Sequence, residues 1–228
     1  MVMVIFVELL EKLNVPYKNE KLYITALTHT SYANEHSVTS YERLEYLGDA
    51  VLELVISEYL YKNTECEEGK MTKLRSHYVC ENANFEYSKI LGLNDYLRLG
   101  HGEEESGGRN RKAIVADIFE SFMGAMYLDL GYEESKKFIY KHIIPLIEDK
   151  HIDFFDDYKS ILQELVQTDK KSLEYVIIKE EGPAHNRRFT IQVKIDNIVY
   201  GTGCASSKKE AEQLAAHDAL KKAQNGDL

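Results

Sequence analysis

The sequence predicts two domains: an all-α domain over residues 1–150, then a small α+β domain of order α-β-β-β-α. Three observations lead there. Apolar spacing is helical almost throughout the first part, with breaks at Pro16, Gly69, Gly92 and the glycine-rich stretch Gly100–Gly108. Further on the period changes, and Phe189, Ile191, Val193 and Ile195 alternate with Thr190, Gln192 and Lys194, the two-residue repeat of a half-buried strand. Finally, 228 residues of which 44% are hydrophobic can bury one sizeable core or two small ones.

The elements follow in order. Met1 to Val7 is apolar but lacks a basic start and is cut by Glu8 and Glu11, so it reads as an opening helix packed by Ile5, Leu9 and Leu13, not as a secretion signal. Helices are expected over Tyr41–Ser57 and Ala113–Leu128. A link at 151–156 then joins a second domain at 157–226, with a helix at Tyr158–Thr168, strands near Glu174–Lys179, 189–195 and Ile198–Thr202, and a last helix from Ser207 to about Ala223. No uncharged run approaches the roughly 20 residues of a membrane span. The three cysteines, Cys66, Cys80 and Cys204, form no CxxC pair, which points away from a disulfide framework or zinc site and toward a reducing, cytoplasmic setting.

Charge is unevenly spread. The formal net charge is -10, and residues 1–150 hold 17 basic against 25 acidic side chains. Within 182–209, by contrast, Arg187, Arg188, Lys194, Lys208 and Lys209 face one anion, Asp196, which makes this stretch the better place for an anionic partner.

Two helices carry carboxylates where an apolar face is expected. In Ala113–Leu128 the only charges are Asp117 and Glu120, spaced i and i+3 on one face. Tyr41–Ser57 repeats the arrangement with Glu45 and Asp49 at i and i+4 among Leu44, Leu47, Val51, Leu54 and Val55, and Glu53 drifts onward from that row. Spacing alone admits a solvated stripe or a metal site. Two such pairs on facing helices, with no histidine or thiol among them, make a hard oxygen shell suited to Mg²⁺ or Mn²⁺. Such an ion activates water and offsets charge on a phosphoryl oxygen. Thr39-Ser40-Tyr41-Glu42 fits a capping box, so Glu42 has a structural reading too, and Glu68 reads locally as a loop acid. His29, isolated and without ligand spacing, is expected to be a structural hydrogen-bonding residue.

In the second domain Ser207 and Glu210 also fit a capping box. Lys208 and Lys209 in a first helical turn oppose the helix dipole unless an anion sits there. Gly182-Pro183-Ala184-His185 is a polar tip between two strands.

The run Glu42-Arg43-Leu44-Glu45-Tyr46-Leu47-Gly48-Asp49-Ala50-Val51-Leu52 resembles the signature of the ribonuclease III family of double-stranded-RNA endonucleases. The likeness continues through Ala26-Leu27-Thr28-His29, Glu68-Gly69, Ser106-Gly107-Gly108 and Ala116-Asp117-Ile118-Phe119-Glu120. It implies an all-α nuclease domain in which Glu45, Asp49, Asp117 and Glu120 bind metal, Asp49 and Glu120 being catalytic, with Glu42 and Glu68 as auxiliary acids. The cofactor so implied is Mg²⁺, with Mn²⁺ as a substitute. Tyr46 stands where the signature usually has phenylalanine, at a position implied to contact the partner of a homodimer. The second domain resembles the double-stranded-RNA-binding domain. That likeness implies RNA contacts from Gln163, Glu164, His185, Lys208 and Lys209, with Arg187 and Arg188 adding backbone contacts.

The expected activity is metal-assisted hydrolysis of duplex RNA to 5′-phosphate and 3′-hydroxyl ends, in ribosomal and other RNA processing. A non-catalytic duplex-RNA-binding regulator is the alternative. A complete set of four acids argues against it, since a mere binder has no reason to hold four carboxylates near phosphates.

Overall fold

The computed structural model describes residues 2–149, 158–168, 171–183 and 187–224, leaving out the side chains of 2–6, 164, 168 and 224. The expected link at 151–156 lies outside them. The chain divides into two compact units, Met1–Phe154 and Phe155–Leu228. The first carries α1 (Val2–Lys12), α2 (Glu20–Ala26), α3 (Thr30–His36), α4 (Glu42–Asn63), α5 (Glu68–Tyr78), α6 (Glu81–Leu91), α7 (His101–Glu105), α8 (Lys112–Leu130), α9 (Tyr132–His142) and α10 (Ile144–Glu148). The second carries α11 (Tyr158–Thr168), β1 (Leu173–Glu181), β2 (Arg188–Ile195), β3 (Ile198–Ala205) and α12 (Lys208–Gln224).

The first unit is organised around α8. Its Ile114, Val115, Ala116, Ile118, Phe119, Phe122, Met123, Ala125 and Met126 are all buried, so the helix is apolar on nearly every side, as a central helix must be. α4 and α6 pack along it, and the rings of Tyr87 on α6 and Phe119 meet with centroids 5.2 Å apart. α4 approaches so closely that a Cβ on Gly48 would stand 1.7 Å from the Glu120 carbonyl oxygen, and one on Gly124 would stand 2.1 Å from the Leu44 carbonyl oxygen. Glycine at both positions lets the two backbones touch, which no other residue permits.

At the N-terminus Leu9, Leu10 and Leu13 are buried as the opening helix requires, and Ile5 falls among the side chains left out. Three local expectations need correction. Gly69 does not break a helix; it lies in the first turn of α5, and the interruption is Thr64–Glu67, just before it. The glycine-rich stretch is not a plain break, since it contains α7 and a 3₁₀ turn at Gly108–Asn110. The capping box at Thr39–Glu42 does not form: Tyr41 is the N-cap and makes no side-chain capping bond, while Ser40 Oγ donates to Glu42 Oε2 at 3.0 Å.

The second unit is a three-stranded antiparallel sheet of order β1-β2-β3. Asp196 and Asn197 connect β2 to β3 with φ of 48° and 67°, the left-handed pair a two-residue hairpin demands. α11 and α12 supply Leu162, Val166, Ala215, Ala216 and Ala219 to a core shared with Val193 and Ile195. Gly201 and Gly203 of β3 let α12 lie almost on the sheet backbone, a Cβ at either being 2.1 Å from an α12 carbonyl oxygen. β1 and β3 run past their expected ends at Lys179 and Thr202: main-chain pairing continues through Glu181↔Arg188 after the alternation of β1 has stopped, and through Phe189↔Ala205 in β3, where the alternating buried residues are the small Gly201, Gly203 and Ala205.

Candidate functional site

The contact at Gly48 and Gly124 decides where the acids go. Glu45 and Asp49 stand one helical turn apart on α4 and flank Gly48, while Asp117 and Glu120 precede Gly124 on α8. The structure brings the four within electrostatic reach of one another. Burial, and then Asp117, Glu42 and Asp49, push the Glu45 carboxyl up to about 7. Burial, and then Asp49, Glu45 and Asp117, push Glu120 up to about 8. Asp117 is also raised, first by burial and further by Glu81, while the Tyr41 hydroxyl and His29 oppose the shift.

Neighbouring side chains orient this group. Tyr41 Oη donates to Asp117 Oδ2 at 3.0 Å, and burial together with Asp117 keeps that phenol protonated. Asn84 Nδ2 donates to Glu120 Oε1 at 2.7 Å. His29 is not a ligand in waiting: it caps α3, with Nδ1 accepting from the Ser31 backbone N–H at 3.2 Å.

The donor set suits a hard divalent cation. It is all carboxylate, and no Lys or Arg is among the charges that dominate the surroundings of Glu45 or Glu120. Among the described residues no three His, Cys, Asp or Glu side chains are already gathered as a metal-binding group. Like charges without a counter-ion repel, and a divalent cation among these carboxylates would offset that repulsion.

Glu42 is exposed at the edge of this cluster and enters it through Glu45. Glu68 is exposed on α5, where Thr72 Oγ1 donates to it at 3.2 Å, and it is not among the charges that act on Glu45, Asp117 or Glu120. Tyr46 projects from α4 at 84% exposure. Sequence reasoning missed Tyr41, Glu81 and Asn84 as members of the site. The one available signal was at Asn84, a polar residue in phase with the buried Ala83, Tyr87, Ser88 and Leu91 of α6.

On the second unit Gln163 is exposed on α11, and Lys208 and Lys209 are exposed in the first turn of α12. Half of the expected capping box is present: Glu210 N donates to Ser207 Oγ at 3.2 Å, but the Glu210 carboxylate accepts from Ser206. Lys208 Nζ stands 5.5 Å from the Phe189 ring centroid. Arg187 is paired with Glu180 at 2.7 Å, so it contributes less free positive charge than the local count implied. His185 lies outside the described residues, as does the side chain of Glu164.

Comparison with known proteins adds the following. Residues 19–147 match the family model described as ribonuclease-III-like, and residues 158–223 match the double-stranded RNA binding motif. The chain is 48% identical over 217 residues to ribonuclease 3 of Bacillus cereus, covering 93% of this chain and 89% of that protein. Ribonuclease 3 of Bacillus anthracis gives the same identity and coverage. A solved nuclease domain of ribonuclease III from Campylobacter jejuni superposes with a TM-score of 0.58 at 34% identity, covering 63% of this chain and 96% of that one. A second structure of that domain, described for flexibility in a region involved in dimer formation, gives a TM-score of 0.57 at 36% identity, covering 60% and 95%.

Proposed function

This chain belongs to the ribonuclease III family and is a metal-dependent endoribonuclease of double-stranded RNA; from that premise we propose that Glu45, Asp49, Asp117 and Glu120 form its cleavage centre. One observation carries the reading. Two helices that touch backbone to backbone at Gly48 and Gly124 set four carboxylates around their crossing, close enough to act on one another.

The cation is Mg²⁺, with Mn²⁺ able to substitute; when bound it supplies an activated water and offsets the charge developing on the phosphoryl oxygen. Everything else is the work of the chain. Tyr41 holds one oxygen of Asp117 and Asn84 one oxygen of Glu120, which leaves Oδ1 and Oε2 to ligate. Glu42, at the edge of the centre, and Glu68, carried on α5, act as auxiliary acids. Water attacks the phosphodiester phosphorus and the 3′-oxygen leaves, giving a 5′-phosphate and a 3′-hydroxyl. Incubating a long labelled RNA duplex and matched single-stranded RNA in Mg²⁺ and in excess chelator tests this. The expected result is duplex-only cutting that chelator stops while retention of the duplex persists; cutting that persists in chelator would sink the assignment.

The pH dependence has a definite sign. Without a divalent ion the folded protein holds protons on Glu45 and Glu120 up to about 7 and about 8, above the usual 4.5 of a glutamate. Their contribution to stability is therefore full below about 4.5 and is lost as pH rises through about 7 to about 8. Ion binding needs the deprotonated forms. Cleavage at limiting Mg²⁺ should climb across that interval, and the climb should move to lower pH as Mg²⁺ is raised. A flat profile at every Mg²⁺ concentration would remove these two carboxyls from the centre.

Duplex RNA is held by the second unit, where Gln163, Glu164, His185, Lys208 and Lys209 meet it. Replacing Lys208 and Lys209 together by alanine should weaken binding alike for all duplex sequences and lower the slope of log affinity against log salt by about 2, one for each phosphate no longer neutralised. An unchanged slope in filter binding across a salt series would show that neither lysine meets a phosphate.

The active species is a homodimer. Tyr46 at 84%, Leu54 at 56% and Tyr61 at 76% exposure lie along one side of α4, an apolar stripe suited to a second copy. With one centre per subunit, each cutting one strand, products carry short 3′ overhangs. Cys66, Cys80 and Cys204 form no disulfide with one another, which fits a cytoplasmic setting, and membership of the ribonuclease III family fits a role in ribosomal and messenger RNA processing. Among the described residues no helix is long and apolar enough to cross a membrane.

A further inference from the structure

Asn84 and Ser88 stand one turn apart on α6, and both are completely buried. The Asn84 amide nitrogen donates to Glu120 Oε1 at 2.7 Å and to the Val79 carbonyl oxygen at 3.3 Å. Both partners are acceptors once Glu120 is deprotonated, as ion binding requires. Turning the amide over would set its oxygen against two other oxygens, so its orientation is fixed by its surroundings.

The rest of the side chain is poorly provided for. Asn84 Oδ1 and Ser88 Oγ have no hydrogen-bond partner among the described residues, in a place where an unmet polar atom is costly. A leucine has the same forked heavy-atom skeleton, somewhat larger for its methyl groups, without that cost, so filling space does not by itself account for an asparagine here. The Val79 bond does not account for it either, being the longer and weaker of the two. What remains is the short bond to Glu120, which becomes charge-assisted once that carboxyl is deprotonated, as ion binding requires.

We propose that Asn84 is the positioning residue of Glu120: its N–H pins one carboxylate oxygen and so presents the other, Oε2, to the divalent ion. The inference rests on the reading of Glu120 as a ligand. It adds a contribution from a third helix to a centre otherwise built on α4 and α8. Groups that orient a metal ligand in this way shift ion affinity or activity by about 10–100-fold when removed.

The test measures divalent binding to the full-length protein without RNA, through the rise in its thermal midpoint as MgCl₂ or MnCl₂ is added. Asn84→Leu should raise the half-effective ion concentration by about 10–100-fold, and it should lower kcat at fixed Mg²⁺ while leaving KM for duplex RNA within about twofold. Asn84→Ala, which removes the N–H without adding a charge or a new donor, should do the same and stands in should the leucine variant fail to fold. Ser88→Ala, on the same buried face but with no hydrogen bond to Glu120, should leave the ion titration unchanged.

A wild-type ion titration in both Asn84 variants would overturn the proposal, whatever their ion-free stability. So would a Ser88→Ala shift as large as theirs, because the effect would then belong to the packing of α6. Glu120→Gln serves as the reference arm. If it too titrates like the wild type, the ligand reading beneath the proposal fails; if it loses ion binding while the Asn84 variants do not, only the role of Asn84 falls.

Discussion

Glu120→Gln should lower cleavage of duplex RNA by about a hundred- to a thousandfold, the scale on which loss of one group that stabilises transition-state charge acts, while duplex binding in chelator stays within about twofold. The replacement is nearly isosteric, and its amide oxygen can still accept from Asn84 Nδ2. What disappears is a carboxyl that can shed its proton to hold an ion only against burial and its neighbouring carboxylates. The ion-free thermal midpoint should therefore hold or rise, and this separates the loss of chemistry from loss of fold. Asp49→Asn should behave alike, since Asp49 is the first charge to act on Glu120 after burial. Single-turnover cleavage, gel retention in chelator and thermal unfolding check the three parts. A variant that still cuts at the wild-type rate takes Glu120 out of the mechanism.

The acids of the proposed centre stand out in the sequence because each pair sits on its own helix at one-turn spacing, and a charge on an apolar face is visible without a partner. Their meeting was not. It depends on the α4 and α8 backbones touching, and in the sequence Gly48 and Gly124 are two glycines inside helical patterns, where the residue alone does not say what lies opposite. Tyr41 and Asn84 stayed hidden for the same reason: their bonds to Asp117 and Glu120 span 76 and 36 residues. Element types were legible where the period is strong, as in β2 and α11. Ends drifted where the main chain, not the side chains, decides, as in β1, which pairs on past Lys179, and in α5, whose first turn accommodates Gly69. On the RNA-binding unit the basic character of 182–209 was legible, but the Arg187–Glu180 pair, which reaches outside that window, was not.

Gly48→Ala tests whether the helix crossing builds the centre. The added Cβ would lie 1.7 Å from the Glu120 carbonyl oxygen, 2.6 Å from its carbon and 2.7 Å from the Gly124 nitrogen. All three are backbone atoms, so no side chain can swing aside and the helices must part. α8 has little room to retreat, with Phe119, Phe122 and Met123 fully buried behind it. Overpacking a well-filled core costs about 1–3 kcal/mol even where side chains can adjust, so roughly 3 kcal/mol or more is expected here, read as a fall in denaturant midpoint of the helical unit. Gly69→Ala is the control. Nothing lies within 4 Å of its Cβ, and in α5 the change should be neutral or stabilise by about 0.5–1 kcal/mol. The two glycines thus predict opposite signs for the same chemical change. Any Gly48→Ala protein that folds should also need far more Mg²⁺ to cut, because parting the helices moves Glu45 and Asp49 away from Asp117 and Glu120. A Gly48→Ala variant with wild-type stability and wild-type Mg²⁺ demand would mean that the crossing can relax without disturbing the acids, and that something other than the glycine contact holds them together.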